Sequence, residues 1–370
     1  MHEIRLLRFE RLEVRSMGPL NSEKPLVIMQ RHDACMSIIL NRTEVLNSLN
    51  LEMVRAITAH LREALADDDC KLVLFYSEDG RAFCAGGDIR QIYRDVQSGN
   101  WADVNSFFLE EFSLDLMIHR FPKPVIVVVD GLTMGGGLGI AEGADWVIAT
   151  ERTRMAMPET RIGFYPDVGA TGWLFQKCPP GYPEYLGLTS HEMKGGECVR
   201  LGLATHLTPS GKVRDLVGTI ETFTQKGISH PRELLSLLTR KLNHCFERNI
   251  EPNPEGDRWV AEYFAGKTSV PGILESLQVC GLQPAPCEYL FSGLSERSPT
   301  ALVMTLALMR HNEHLPMDQV FDTDFKAVQY ILRHPDFIEG VRARIIEKDN
   351  QPRWTPDSIE KVDLSGLVLS

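Results

Sequence analysis

From about residue 25 the hydrophobic positions fall into short runs separated by helical patterns. PLVIMQ (25–30) and MSIIL (36–40) read as paired strands. In LEMVRAITAHLREAL (51–65) apolar residues recur near every 3.6 positions, which predicts a helix. KLVLFYS (71–77), PVIVVVDG (124–131) and DWVIAT (145–150) are continuous, largely β-branched runs, as expected of strands buried on both faces. Glycine-rich loops follow two of these strands, and each leads into a helical pattern. This β-β-α or β-α rhythm predicts an α/β fold. After about residue 190 the texture changes. HEMKGGECVRLGLATHL, PRELLSLLTRKLNHCFE and TALVMTLALMRHNEHL are helix-patterned, with PNPEGD and QPAPCE as breakers. Three parts result: an N-terminal extension (1–24), a mixed α/β core (25–225) and a helical region (226–370).

The glycine loops are the first candidates for chemistry. In GRAFCAGGDIRQIY (80–93) a strand runs into Gly86–Gly87 and a helix opens at Asp88. In VVVDGLTMGGGLGIAEGADW (127–146), Gly135, Gly136 and Gly137 end a loop where a helix begins. Such glycines serve either as tight turns or as places where a ligand meets free helix N–H groups, which favour negative charge. A dinucleotide fingerprint fails in register. Counted from Gly137, Gly139 fits but Glu142 stands at the third glycine position; counted from Gly135, that position is Ile140. Acyl transfer fits better, because backbone N–H groups stabilise the charge that develops on a carbonyl oxygen.

Residues 155–174 read MAMPETRIGFYPDVGATGWL, with Glu159 and Asp167 in an apolar setting. Buried carboxylates are paired or used. Glu159 can pair with Arg161 and Asp167 can sit in a Pro–Asp turn, or either can cap a helix. Alternatively the two face one carbonyl as base, nucleophile or proton shuttle, with pKa values pushed apart by their proximity.

Charge and composition narrow the classes. With 39 basic and 50 acidic residues the net charge is −11, which argues against a nucleic-acid surface. The eight cysteines are scattered without a CxxC pair, so reduced thiols are expected. No apolar run approaches the roughly 18–20 residues of a membrane span. The opening MHEIRLLRFERLEVRSMGPL is Arg-rich, but its Glu3, Glu10 and Glu13 do not suit a transit peptide. It reads as a polar extension with Met17 as an alternative start, and the cytoplasm is the default location. His311 and His314 lack a third ligand and read as an exposed helix end, so no metal is expected. There is no G-x-S-x-G, and Cys84 has no placed histidine.

AFCAGGDI, then DGLTMGGGLG, then MPETRIGFYPDVG resembles the crotonase (enoyl-CoA hydratase/isomerase) superfamily, from LNRTEVLNSLN (40–50) to about residue 210. CAGGDIR, the MPET…PDVG segment, SPTALVMTL (298–306) and DFIEGVRARIIEKDNQPRW (336–354) are most similar to its hydrolase subgroup. The resemblance implies a crotonase-like spiral of ββα units with a C-terminal helical region. It implies an acyl-CoA substrate, no metal or redox cofactor, and a homo-oligomer (trimer or hexamer). The implied reaction is hydrolysis of 3-hydroxyisobutyryl-CoA or a similar short 3-hydroxyacyl-CoA, as in valine breakdown.

Residue by residue, the resemblance makes the N–H groups of Gly87 and Gly136 the oxyanion hole. Glu159 falls on a catalytic glutamate and Asp167 on the second acidic residue of the hydrolases. Glu111, in FFLEEFSLDL, matches a residue near the substrate hydroxyl. Gly139 stands where hydratases carry their other catalytic glutamate, so hydration is expected to be poor. Asp88 and Arg90 follow the oxyanion loop as substrate-binding candidates, although Arg90 equally suits a solvated helix face. Thr43 and Glu44 depart from the usual proline and basic residue near the coenzyme, so its phosphate contacts are either weakened or supplied by Arg42 and Arg90. The roles within the Glu159–Asp167 pair, and the choice between a mixed anhydride and direct water attack, stay open. So do an enoyl-CoA hydratase or isomerase, and an acyl-CoA binding protein without chemistry.

Overall fold

In the computed structural model, residues 24–223, 231–280 and 284–369 are described. The first two apolar runs form an antiparallel pair, β1 (Val27–His32) and β2 (Cys35–Leu40). The helix α1 (Leu51–Ala66) follows. Asn50 caps it by accepting the Met53 N–H, and Met53, Val54, Ile57, Leu61 and Ala64 form its buried stripe.

Three strand pairs then repeat. In each, a long strand is followed by a three-residue one: β3 (Leu72–Ser77) and β4 (Ala82–Cys84), β5 (Val125–Val129) and β6 (Leu132–Met134), β7 (Trp146–Ala149) and β8 (Arg154–Ala156). After β4 come α2 (Ile89–Ser98) and α3 (Trp101–His119); after β6 comes α4 (Gly136–Glu142). After β8 a 3₁₀ turn (Glu159–Ile162) leads to α5 (Ala170–Lys177) and α6 (Tyr182–Thr189). Two short strands, β9 (Met193–Lys194) and β10 (His206–Leu207), complete the sheets.

Within each of the three pairs, the long and the short strand go to different sheets. The larger has the order β1-β2-β3-β5-β7-β10 and the smaller β4-β6-β8-β9. Each repeat therefore turns a corner between sheets. At Gly131 (φ +84°) the corner lies against the Arg81 carbonyl, where a side chain has no room. This is the spiral of ββα units expected from the sequence. Strands β3, β5 and β7 are buried on both faces, as their continuous apolar runs require. Val73, Phe75, Val125 and Val127 pack toward α1 and α3; Leu72, Leu74, Ile126 and Ile148 pack against Leu216, Ile220, Leu234 and Leu238.

Beyond β10 the described residues contain no strand. Successive helices include Pro284–Ser295, Pro299–Asn312, Met317–Ile331 and Pro335–Val341. No helix among the described residues is long and apolar enough to cross a membrane. Two expectations need correcting. HEMKGGECVRLGLATHL holds one short helix (Gly196–Arg200) between β9 and β10, because its glycines and edge pairing override the helical period. Cys280 and Cys287 form a disulfide, leaving six free cysteines where eight were expected. Their Cα atoms are 6.3 Å apart, a proximity that their seven-residue spacing does not announce. The extension before residue 24 and the boundary near 225 lie outside the described residues.

Candidate active site

The small sheet explains why distant loops meet. β4, β6 and β8 are parallel neighbours, with Cys84 opposite Thr133 and Met134 opposite Ala156. The loops leaving their C-terminal ends, at 85–87, 135–136 and 157–159, are therefore adjacent. Gly86 (φ +93°) leaves no space for a side chain, since a Cβ there would lie 3.0 Å from the Met134 carbonyl oxygen. A Cβ on Gly135 would lie 2.8 Å from Glu159 Oε1, and one on Gly136 would collide with Glu111 Oε1. Gly87, Gly136, Glu111, Glu159 and Asp167 all line one cavity of about 610 Å³. Among the described residues no acceptor takes the Gly87 or Gly136 N–H. Two free donors beside two carboxylates make a place for a carbonyl group, as the sequence led us to expect.

Four carboxyl groups crowd this end of the cavity. Glu111 and Asp115 stand one turn apart on α3, and both are buried. Glu159 and Asp167 are 8 % and 6 % exposed. Glu111 Oε1, Glu159 Oε2 and both Asp115 oxygens have no hydrogen-bond partner. Burial raises all four pKa values. Glu111, Asp115 and Glu159 are held well above the usual carboxylate range, by burial first and then by the charge of Asp167. Asp167 is pushed up to about 7, and its own backbone N–H partly offsets the burial. The four carboxyls titrate as one interacting group, and burial favours the protonated form of each.

Each of the two central carboxylates is fixed by its own segment. Glu159 begins the 3₁₀ turn, which is anchored by Thr160; its hydroxyl meets Ser190 Oγ at 3.0 Å and the Leu188 carbonyl at 3.2 Å. Asp167 precedes Val168, a β-branched residue at φ +50°, a backbone state such residues rarely hold unaided. Trp173 Nε1 donates to the Val168 carbonyl at 2.9 Å, and the Gly169 N–H donates to Asp324 Oδ2 at 2.7 Å. Asp324 lies in the Met317–Ile331 helix, so the helical region sets the aim of Asp167. Tyr165 strengthens this link by donating to the Asp324 carbonyl at 2.7 Å.

Other sequence candidates go elsewhere. Asp88 caps α2 through the Gln91 N–H and pairs with Arg42 at 2.9 Å, so its carboxylate is spent on structure. Arg90 is exposed and donates to the Ile345 carbonyl at 2.8 Å. Neither lines the cavity. Arg42 also donates to the Ser48 carbonyl at 2.9 Å. Arg161 makes no ion pair with Glu159 among the described residues; it lines the cavity. Cys84 is fully buried and its thiol is pushed up to about 12, as suits a packed residue. His311 and His314 are both exposed around the end of the Pro299–Asn312 helix. The sequence reading missed Asp115, four residues after Glu111 on the same helical face. It also missed Asp324 and the cavity-lining Arg297 and Arg344, which no local motif marks.

Spiral ββα core, paired N–H donors and clustered carboxyls together define a crotonase-fold protein with a site built for an acyl carbonyl. The chain belongs to the enoyl-CoA hydratase/isomerase family, whose sequence pattern matches residues 35–367. It is 32 % identical over 336 residues to a chicken protein named mitochondrial 3-hydroxyisobutyryl-CoA hydrolase, covering 91 % of this chain and 86 % of that one. A Dictyostelium discoideum protein of the same name is 33 % identical over 346 residues, covering 91 % and 89 %. Among solved structures, a carnitinyl-CoA dehydratase from Mycobacterium thermoresistibile superposes with a TM-score of 0.82 at 27 % identity, covering 93 % and 95 %.

Proposed function

We propose that this protein is an acyl-CoA thioester hydrolase acting on 3-hydroxyisobutyryl-CoA or a similar short 3-hydroxyacyl-CoA. The observation that carries the reading is the pairing of Asp167 with Glu159 at the two glycine donors, while position 139 is closed to a second hydratase glutamate. The names of the chicken and Dictyostelium relatives support it. In this reading the thioester oxygen accepts the N–H groups of Gly87 and Gly136, and Glu159 stands at the carbonyl carbon. Ionised Asp167 takes the proton that frees Glu159, or a water held by it, to attack. The C–S bond breaks, coenzyme A leaves as the thiol with a proton from the cluster, and water supplies the oxygen of the product acid. Glu111 receives the 3-hydroxyl.

The reading also assigns the protein no metal or redox cofactor, a place in valine breakdown and a homo-oligomeric state. For location, the relatives' names put those proteins in mitochondria, which weighs against the cytoplasmic default. A second reading, hydration or isomerisation of an enoyl-CoA, draws on the dehydratase neighbour.

The test is to offer the purified protein 3-hydroxyisobutyryl-CoA and, separately, crotonyl-CoA, following thiol release and enoyl absorbance. Thiol release from the hydroxyacyl substrate alone is expected. Loss of enoyl absorbance without thiol overturns the hydrolase in favour of the second reading. Binding of both with no reaction leaves a non-catalytic acyl-CoA protein. In water enriched in oxygen-18, a single turnover detects an anhydride that opens at the protein. Label in the product acid marks water attack on the acyl carbon, and label in Glu159 marks an anhydride opened at the protein.

A further inference from the structure

Three guanidinium groups converge on the cavity from separate elements. Arg161 lies in the 3₁₀ turn that carries Glu159, Arg297 just precedes the Pro299–Asn312 helix, and Arg344 follows the Pro335–Val341 helix. Like charges brought together repel, and burial sharpens the cost unless an opposite charge is present. Ion-pair partners are sparse here. Arg161 is exposed and has no carboxylate at ion-pair distance among the described residues. Arg297 is 8 % exposed; its Nη2 donates to the Thr189 carbonyl at 2.6 Å, and its Nε has no partner. Arg344 meets the largely exposed Glu296 at 3.8 Å and Asn350 Oδ1 at 3.2 Å, and its Nε is also buried without a partner. Arg297 registers the crowding, pushed down to about 10 by burial first and then by Arg161 and Arg344, against a small opposing pull from Glu296.

The arginines beside the oxyanion loop offer no substitute, because Arg42 is committed to Asp88 and Arg90 to the Ile345 carbonyl. A cluster of cations with idle donors inside a ligand cavity is what an anion would complete. We propose that Arg161, Arg297 and Arg344 form an anion subsite that receives an oxyanion carried by the bound thioester. Its source is either a phosphate of the coenzyme or a carboxylate at the far end of the acyl group. This inference rests on the acyl-CoA part of the reading above, and its carboxylate arm replaces the uncharged 3-hydroxyacyl group named there with one that ends in a carboxylate. It adds the residues that hold the charged end of the ligand and assigns that task to the helical region.

Thioether analogues make the test independent of turnover. S-ethyl-CoA, S-(2-carboxyethyl)-CoA and S-ethyl-pantetheine are titrated calorimetrically into the wild type and the Arg161→Ala/Arg344→Ala variant at low salt. Loss of two guanidinium contacts is expected to weaken the relevant ligand by about tenfold or more, and the difference should shrink at high salt. If the coenzyme phosphates are the source, S-ethyl-CoA weakens and S-ethyl-pantetheine does not. If an acyl carboxylate is the source, S-(2-carboxyethyl)-CoA weakens and S-ethyl-CoA does not. Equal binding of all three ligands by variant and wild type overturns the subsite while leaving the acyl-CoA reading intact. A wild type that binds none of them overturns that reading, and the subsite falls with it. Arg297→Met, checked for an unchanged far-ultraviolet spectrum, is expected to show the same selective loss, and a loss spread equally over all three ligands counts against the subsite.

Discussion

Asp115 Oδ2 fills the space that a side chain at Gly139 would need: a Cβ on Gly139 would lie 2.5 Å from it and 2.9 Å from Val168 Cβ. On the resemblance drawn from the sequence, Gly139 is where hydratases carry a second glutamate, and here another acid, from α3, fills that space. Gly139→Glu is accordingly expected to lose stability, by about 1–3 kcal/mol on the scale of overpacked cores, without gaining hydration of crotonyl-CoA. Thermal unfolding and enoyl absorbance check both halves. A stable variant that hydrates crotonyl-CoA would show that the site accepts hydratase chemistry after all.

The two glycines proposed as the oxyanion hole, Gly87 and Gly136, are not equivalent. A Cβ on Gly87 would sit 3.4 Å from Phe107 Cζ, an ordinary contact, whereas one on Gly136 collides with Glu111. Gly87→Ala keeps its backbone N–H and is expected to retain activity within about tenfold. Gly136→Ala displaces Glu111 and is expected to lose about 10²–10³ in kcat, the scale of a lost oxyanion donor. Steady-state kinetics on both variants decide it. Equal losses would mean that room for a side chain does not distinguish the two positions.

Asp167, pushed up to about 7, sets the pH dependence if it acts as the ionised base. A group with a raised pKa is protonated below that value, so kcat/KM should fall about tenfold per pH unit below pH 7 and level off above it. Asp167→Asn is expected to be slow at every pH while still binding acyl-CoA. A wild-type profile that is flat from pH 5 to 8 would remove Asp167 from the proton path.

The sequence carried the fold further than the site. Continuous apolar runs within 71–77, 124–131 and 145–150 announce strands buried on both faces, because such strands have no solvent side to mark with polar residues. The short strands β4, β6 and β8 carry only three residues each, too few for a period. Their pairing nevertheless brings together the Gly86, Gly135 and Glu159 loops. Glu159 and Asp167 stand out locally as acids in an apolar segment, and the glycines frame them. Asp324 reads as an ordinary polar residue of an amphipathic helix, and only tertiary packing brings its carboxylate to the Gly169 N–H, 155 residues away. Asp88 and Arg90 show the complementary ambiguity: beside a glycine loop, a helix cap and an exposed arginine have the same local sequence as ligands.

Asp324 should behave as a positioning residue. It does not line the cavity, yet it accepts the Gly169 N–H that holds the strained turn behind Asp167. Asp324→Ala leaves that N–H unsatisfied and is expected to cost about 1–3 kcal/mol in stability. Its kcat should fall while KM stays near the wild-type value, and Asp324→Asn, which can still accept the bond, should recover part of kcat. A variant of either kind whose KM rises with kcat unchanged would point to a role in binding instead.

Asp115 gives the protein an acid-side bias in stability. Buried with neither oxygen partnered, it keeps its proton in the folded state well above the range of an unfolded aspartate. Above about pH 4 the unfolded chain has released this proton and the folded protein has not, so folding must retain a proton from increasingly alkaline solution. The stability contributed by this group is full below about pH 4. It declines by about 1.4 kcal/mol per pH unit until the folded carboxyl ionises in turn. Glu111, Glu159 and Asp167 act in the same direction, so wild-type stability should decrease from pH 5 to 8. Asp115→Asn removes one of these groups while keeping its shape. Denaturant midpoints should therefore be similar for variant and wild type near pH 4, with the variant gaining steadily toward pH 8. A constant gap across that range would mean that Asp115 contributes through packing alone.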